Sequence, residues 1–100
     1  MIKSSGFRIS PTEVEEVLFQ TGKLRGAAVI GLPDEVLGQV IKAFVVPRDG
    51  EPLETGALLE ACGEKMPRYM VPKFIEVLTD MPKTSSGKVD YPALRRREGL

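Results

Sequence analysis

The sequence has no His and no Trp, a single Cys, and only four Phe and two Tyr among 100 residues. Without His, no imidazole can act as a base or as a metal ligand here. The lone Cys62 excludes an internal disulfide and any CxxC metal pattern, and such usage fits a reducing cytoplasm. Charge of one sign is not in excess. Fourteen basic and fourteen acidic side chains cancel, so no net field draws the chain to nucleic acid or to an anionic membrane. No apolar run reaches the ~18 residues of a membrane span, and Met1-Ile2-Lys3-Ser4 is not a signal peptide. Internal repeats and low-complexity tracts are missing as well.

What is present is the composition of a small globular domain: a hydrophobic fraction of 42% beside 28% charged residues excludes a disordered chain. Ile2 to Arg8 reads as a hairpin with one arm cut short, which points to a chain excised from something longer. A helix follows. Ser10 is an N-cap type, Pro11 takes N1, and Glu13 at N3 completes a capping box, with Ile9 and Val14 as the hydrophobic staple. Val14, Val17 and Leu18 form its apolar stripe, and Gly22 stops it after Thr21.

Arg25–Gly31 is an apolar strand, 32–38 a turn region with Pro33, Asp34 and Gly38, and Gln39–Val46 the strand richest in β-branched residues. Pro47 to Pro52 breaks that strand. Leu58, Cys62 and Met66 repeat at helical spacing from Thr55 until Pro67, with Gly63 a weak point, and Phe74–Leu78 is a further strand. Asp90 can cap a short helix through Ala93–Arg97. The expected fold is α+β: a two-layer sandwich in which a small three-stranded sheet and an N-terminal β-ribbon pack with two main helices and a short C-terminal one.

Three segments could carry chemistry. The first is the loop Asp80–Lys88, with two lysines, three hydroxyls, a glycine and almost nothing apolar to anchor it. Its ordinary reading is a solvated connection. A phosphate-binding P-loop is excluded by spacing, because Pro82 stands where the first Gly is needed and Val89 follows Lys88. There remains a mobile ammonium, Lys88, that can reach a neighbouring site and stabilise developing negative charge. Gly87 beside it lets the backbone approach a ligand closely.

The second segment is Ser4–Arg8, where Gly6 can line a narrow passage and Arg8 can grip a phosphate; an ordinary tight turn with a surface arginine is the competing reading. The third, Pro67–Pro72, reads chiefly as structural, with Tyr69 and Met70 packing it down. Arg95-Arg96-Arg97 reads as a solvated helix end and Cys62 as core packing.

Four segments together resemble the C-terminal domain of the adenylate-forming superfamily of acyl- and aryl-CoA synthetases, peptide-synthetase adenylation domains and luciferases. They are Ile2–Glu16 (IKSSGFRISPTEVEE), Leu37–Val46 (LGQVIKAFVV), Met66–Ile75 (MPRYMVPKFI) and Met81–Leu94 (MPKTSSGKVDYPAL), in the family's order and covering nearly the whole chain. The resemblance implies a lid, residues 1–100, that swings over a large N-terminal domain. There ATP and a carboxylic acid give an acyl-adenylate, and coenzyme A then displaces AMP to give a thioester. It places Lys88 at the adenylation lysine, Gly6 at the pantetheine passage and Arg8 near the CoA nucleotide. Mg2+ is implied for the complete enzyme and not for this domain. A hinge Asp or Lys and the phosphate loop of the large domain fall outside the chain, so the isolated fragment is expected to be inactive. Two alternatives share the fold: the lid of a peptide-synthetase adenylation domain, using carrier-bound phosphopantetheine, and a non-catalytic interaction module.

Overall fold

The computed structural model describes residues 1–49 and 52–100. Strand β1 (Ile2–Ser4) turns into β2 (Phe7–Ile9), and helix α1 (Pro11–Gln20) follows. Ser10 Oγ accepts from the Glu13 N–H at 3.4 Å. Among the described hydrogen bonds this is the only half of the capping box that forms, and the exposed Glu13 does not return it. Val14 and Leu18 are fully buried, and Ile9 joins Val14 in one core cluster, as a staple requires. The helix ends where Gly22 takes φ +75° and its N–H reaches Phe19 O.

Strands β3 (Leu24–Asp34) and β4 (Gly38–Pro47) form a long antiparallel hairpin. The turn expected over 32–38 is shorter than the sequence suggests, since Leu32, Pro33 and Asp34 continue β3 opposite Val40, Gln39 and Gly38. Pro33 is tolerated because β3 is an edge strand. Its missing N–H has the parity of Val29, whose N–H faces away from β4. Asp34 Oδ1 accepts from the N–H groups of Val36 and Leu37 at 2.9 and 2.8 Å and closes the turn. The hydrogen bonds from Leu37 and Val36 hold its carboxyl below the usual aspartate range.

Helix α2 (Thr55–Lys65) crosses back to β5 (Phe74–Val77), which pairs with β4 in parallel. Glu54 caps α2 by accepting from Gly56 and Ala57 N–H, a duty its residue type does not advertise. A single turn of 3-10 helix, Arg68–Met70, follows, and α3 (Tyr91–Arg97) closes the chain with Asp90 accepting from Ala93 N–H at 3.1 Å.

The sheet is mixed, with order β2-β1-β4-β3 and β5 also beside β4. The ribbon of β1 and β2 is thus part of the sheet, joined by the Ser4–Gly38 pair. With neighbours on both sides, β4 buries Val40, Ile41, Ala43, Phe44, Val45 and Val46. One face carries α1 and α2, whose Val14, Leu18, Leu58 and Cys62 share a cluster with Val29, Ala43 and Val45 of the sheet. The other carries α3 over Ala28, Ile30, Phe44 and Val46, with Leu94 fully buried among them. The α+β sandwich of two main helices on a sheet is as expected; the short helix adds cover on the opposite face. Each fully buried Leu or Phe contributes roughly 1.5–3 kcal/mol by leaving water.

Candidate functional site

The loop expected to be loose is a closed turn. Lys83 and Val89 form an antiparallel bridge, Thr84 N–H donates to Lys88 O at 2.7 Å, Gly87 N–H to Thr84 O at 2.9 Å and Asp90 N–H to Pro82 O at 2.9 Å. Thr84 Oγ1 accepts from Lys88 N–H at 3.3 Å and lies 3.0 Å from Ser86 Oγ. Two of the three hydroxyls that read as solvent groups, those of Thr84 and Ser86, are tied to each other, and the closure needs Gly87 at φ +84°. Met81 and Val89 anchor the two ends in the core beneath α3, while Lys88 itself is exposed. A rigid turn therefore presents a flexible ammonium.

The ribbon turn is equally defined. Ser5 and Gly6 have φ of 52° and 83°, both positive, as a two-residue hairpin with right-handed strand twist demands. Ser5 N–H donates to Leu37 O at 2.9 Å, tying the ribbon to the β3–β4 turn. Ile2 and Ile9 are paired and buried; Lys3 and Arg8 are paired and exposed on the other side. Two cations directly opposite each other repel, and among the described residues neither has an acidic partner. An anion laid across them relieves that repulsion.

Beside the ribbon lies a groove of about 540 Å³, lined by Ser4, Ser5, Phe7, Leu37, Tyr69 and Lys73, with Arg68 at its side. Tyr69 forms its wall and is half-exposed, stacked on Phe7, whereas Met70 is the residue packed down. Reading Pro67–Pro72 as structural missed this. The available signal was an aromatic flanked by Arg68 and Lys73 and held between two prolines, which is more polar than a core segment needs.

Elsewhere Lys42 bridges Glu76 and Glu98, and Arg97 pairs with Glu76, so one of the terminal arginines is an anchor and not a solvated end. Burial alone would lower the Lys42 pKa, but hydrogen bonds to Glu98 and Glu76 raise it. Cys62 is fully buried and burial pushes its thiol up, in keeping with core packing. Among the described residues no group of three or more His, Cys, Asp or Glu is placed to hold a metal ion.

The four sequence candidates thus form two pairs. Gly6 and Arg8 sit on the ribbon, and Gly87 and Lys88 on the turn. No hydrogen bond or ion pair among the described residues links them, and no turn residue lines the groove. The ribbon stands at the β1–β2 end of the sheet, whereas Val89 and Tyr91 pack against the core cluster beneath α3.

Residues 13–88 match the family described as the AMP-binding enzyme C-terminal domain. The chain belongs to this family. It is 40% identical over 102 residues to 4-hydroxybutyrate--CoA ligase 1 of Metallosphaera sedula, covering 98% of this chain and 18% of the relative. A long-chain-fatty-acid--CoA ligase of Yersinia pestis is 41% identical over 98 residues, covering 98% and 17%. The crystal structure of Brucella canis acyl-CoA synthetase superposes with a TM-score of 0.90 at 33% identity, over 98% of this chain and 19% of that one. This AMP-binding C-terminal domain therefore spans less than a fifth of the length of the curated relatives it matches. Among the described residues no helix is long and apolar enough to cross a membrane.

Proposed function

We propose that this AMP-binding C-terminal domain is the mobile lid of an ATP-dependent acyl- or aryl-CoA ligase, working on a carboxylic acid, ATP and coenzyme A in a reducing cytoplasm. The observation that carries this reading is the separation of the two cationic surfaces. Lys88 stands on one rigid turn, Arg8 with Lys3 stands on the β1–β2 ribbon at one end of the sheet, and no hydrogen bond or ion pair among the described residues links the two. A single site would gather its cations. Two sites used in turn need them apart, with a rigid body between.

In the first half-reaction the carboxylate oxygen attacks the α-phosphorus of ATP and pyrophosphate leaves. Negative charge builds on the phosphoryl oxygens, and the Lys88 ammonium stabilises it when the lid presents that turn to the large domain. In the second, rotation withdraws Lys88 and presents the ribbon. Gly6 lets the pantetheine arm pass close to the backbone, Arg8 holds phosphate on the nucleotide end, and the thiol sulfur displaces AMP. Free coenzyme A is favoured over a carrier protein because the named relatives are CoA ligases. A non-catalytic module has no use for an exposed lysine on so closely tied a turn.

Lys88→Ala in the full-length ligase tests this. Acyl-adenylate formation should fall roughly 10²–10³-fold, the loss typical of one electrostatic donor, with thioester formation from preformed acyl-adenylate retained. Equal loss in both half-reactions would refute it.

A further inference from the structure

Three elements meet at the free edge of β3. The Val29 N–H points out of the sheet and donates to Glu15 Oε2 at 2.9 Å, and the Tyr91 hydroxyl donates to the same oxygen at 2.5 Å. Glu15 belongs to α1 on one face, and Tyr91 opens α3 on the other. One carboxylate thus ties both layers around the edge of the strand. Among the described ion pairs Glu15 has no cation, so this charge is spent on two neutral donors. Burial, then the hydrogen bond to Glu15 and its charge, push the phenol well above the usual tyrosine range, and the hydroxyl stays protonated as a donor.

Helix α3 does not need this bond to stay on the sheet, because Leu94 is fully buried beneath it. What the hydroxyl adds is direction. The 83–89 turn is closed on itself by the Lys83–Val89 bridge and the Thr84–Lys88 bonds, so it moves as one piece. Its last closing bond is Asp90 N–H to Pro82 O, and Tyr91 is the next residue. A pivot at that point swings Lys88, whereas Gly6 and Arg8 on the far ribbon keep their place.

We infer that the Glu15–Tyr91 hydrogen bond is a positioning contact for Lys88, holding the turn in the orientation that the first half-reaction requires. The inference rests on the adenylation role proposed for Lys88. Tyr91 and Glu15 touch no reacting atom; they act through the turn.

Tyr91→Phe keeps the ring and removes the hydroxyl. In the full-length ligase this variant should lose roughly ten-fold in kcat for acyl-adenylate formation, since misplacement by about 1 Å can cost up to ~10²-fold. Thioester formation from preformed acyl-adenylate should be unchanged, and amide exchange across the 83–90 segment should quicken. Glu15→Ala should behave alike, and the double variant should be no worse than either single one. Glu15→Gln, which keeps an acceptor oxygen, should restore most of the rate. Unchanged adenylation in Tyr91→Phe, or equal loss in both half-reactions, overturns the inference. Amide exchange reports the clasp without reference to chemistry, and Lys88→Ala reports the chemistry without reference to the clasp. Unchanged exchange sinks the clasp alone, and a Lys88→Ala enzyme that still adenylates sinks the functional role of Lys88.

Discussion

Phe7 and Tyr69 lie face to face, with ring centroids 4.0 Å apart and planes 7° from parallel. The stack fastens the ribbon turn to the segment between Pro67 and Pro72 and builds one wall of the groove. Both rings remain about half exposed, so the pair is not primarily a core contact. Aromatic pairs contribute ~0.5–1.5 kcal/mol beyond their buried area. Tyr69→Ala should therefore lower stability by about 1 kcal/mol, read from the midpoint and slope of urea unfolding. It should also raise the KM for coenzyme A while leaving acyl-adenylate formation intact. A matching fall in adenylation would show that this wall beside the ribbon does not serve the second half-reaction alone.

Gly6 and Gly87 make a matched pair of tests. Their φ angles are +83° and +84°, and a Cβ added at either position would meet no atom within 4 Å. Alanine therefore brings backbone strain without a clash inside the domain, about 1–2 kcal/mol in each case. The stability loss should be nearly the same for Gly6→Ala and Gly87→Ala. The activity loss should not: the first should slow thioester formation and the second adenylation. Should both variants impair the same half-reaction, the two turns do not serve separate steps.

The Lys42–Glu76–Arg97 cluster sets a pH dependence. Hydrogen bonds from Lys42 and then Arg97 hold the Glu76 carboxyl below the usual glutamate range, against an opposing effect of burial. A carboxyl with a lowered folded pKa contributes stability above its unfolded pKa, and that contribution is lost as pH falls through the folded value. The urea midpoint should thus drop below about pH 4.5, and Glu76→Gln should show a shallower acid limb. Asp34 acts with the same sign, so the limb should flatten only in part. Lys42 has the opposite sign. Its raised pKa contributes below the usual lysine range and is lost as pH climbs through the folded value, above about pH 10.4. A Glu76→Gln acid limb as steep as the parent's would show that the carboxylate is not held this way.

Much of the architecture was legible because its causes lie within a few residues of each other. Ser10-Pro11 starts α1, Gly22 ends it, Asp90 caps α3, and the β-branched run marks the strand that became the centre of the sheet. The positive φ angles at Gly6 and Gly87 are of the same kind, since only the local turn and the missing Cβ matter. Lys88 could be singled out by composition and resemblance, and it is exposed at the surface.

Other features depend on partners far along the chain, and local chemistry cannot name them. Pro33 stays in a strand because β3 became an edge, which is a property of the sheet and not of Leu32-Pro33-Asp34. Tyr69 is a groove wall because Phe7 arrives from the opposite end of the sequence. Thr84 is an internal tie because the turn closes over it, and Glu15 meets Tyr91 because two helices on opposite faces reach the same strand edge. Hydrophobic periodicity tells which side of an element is buried, but not which distant polar group will face its exposed side. By itself the sequence determined the elements, their order and the residues able to carry charge to a site. The tertiary structure decided that those charges stand apart, Lys88 on a closed turn and Arg8 with Lys3 on the ribbon, because backbone pairing and burial, acting over long separations, set where each segment lies.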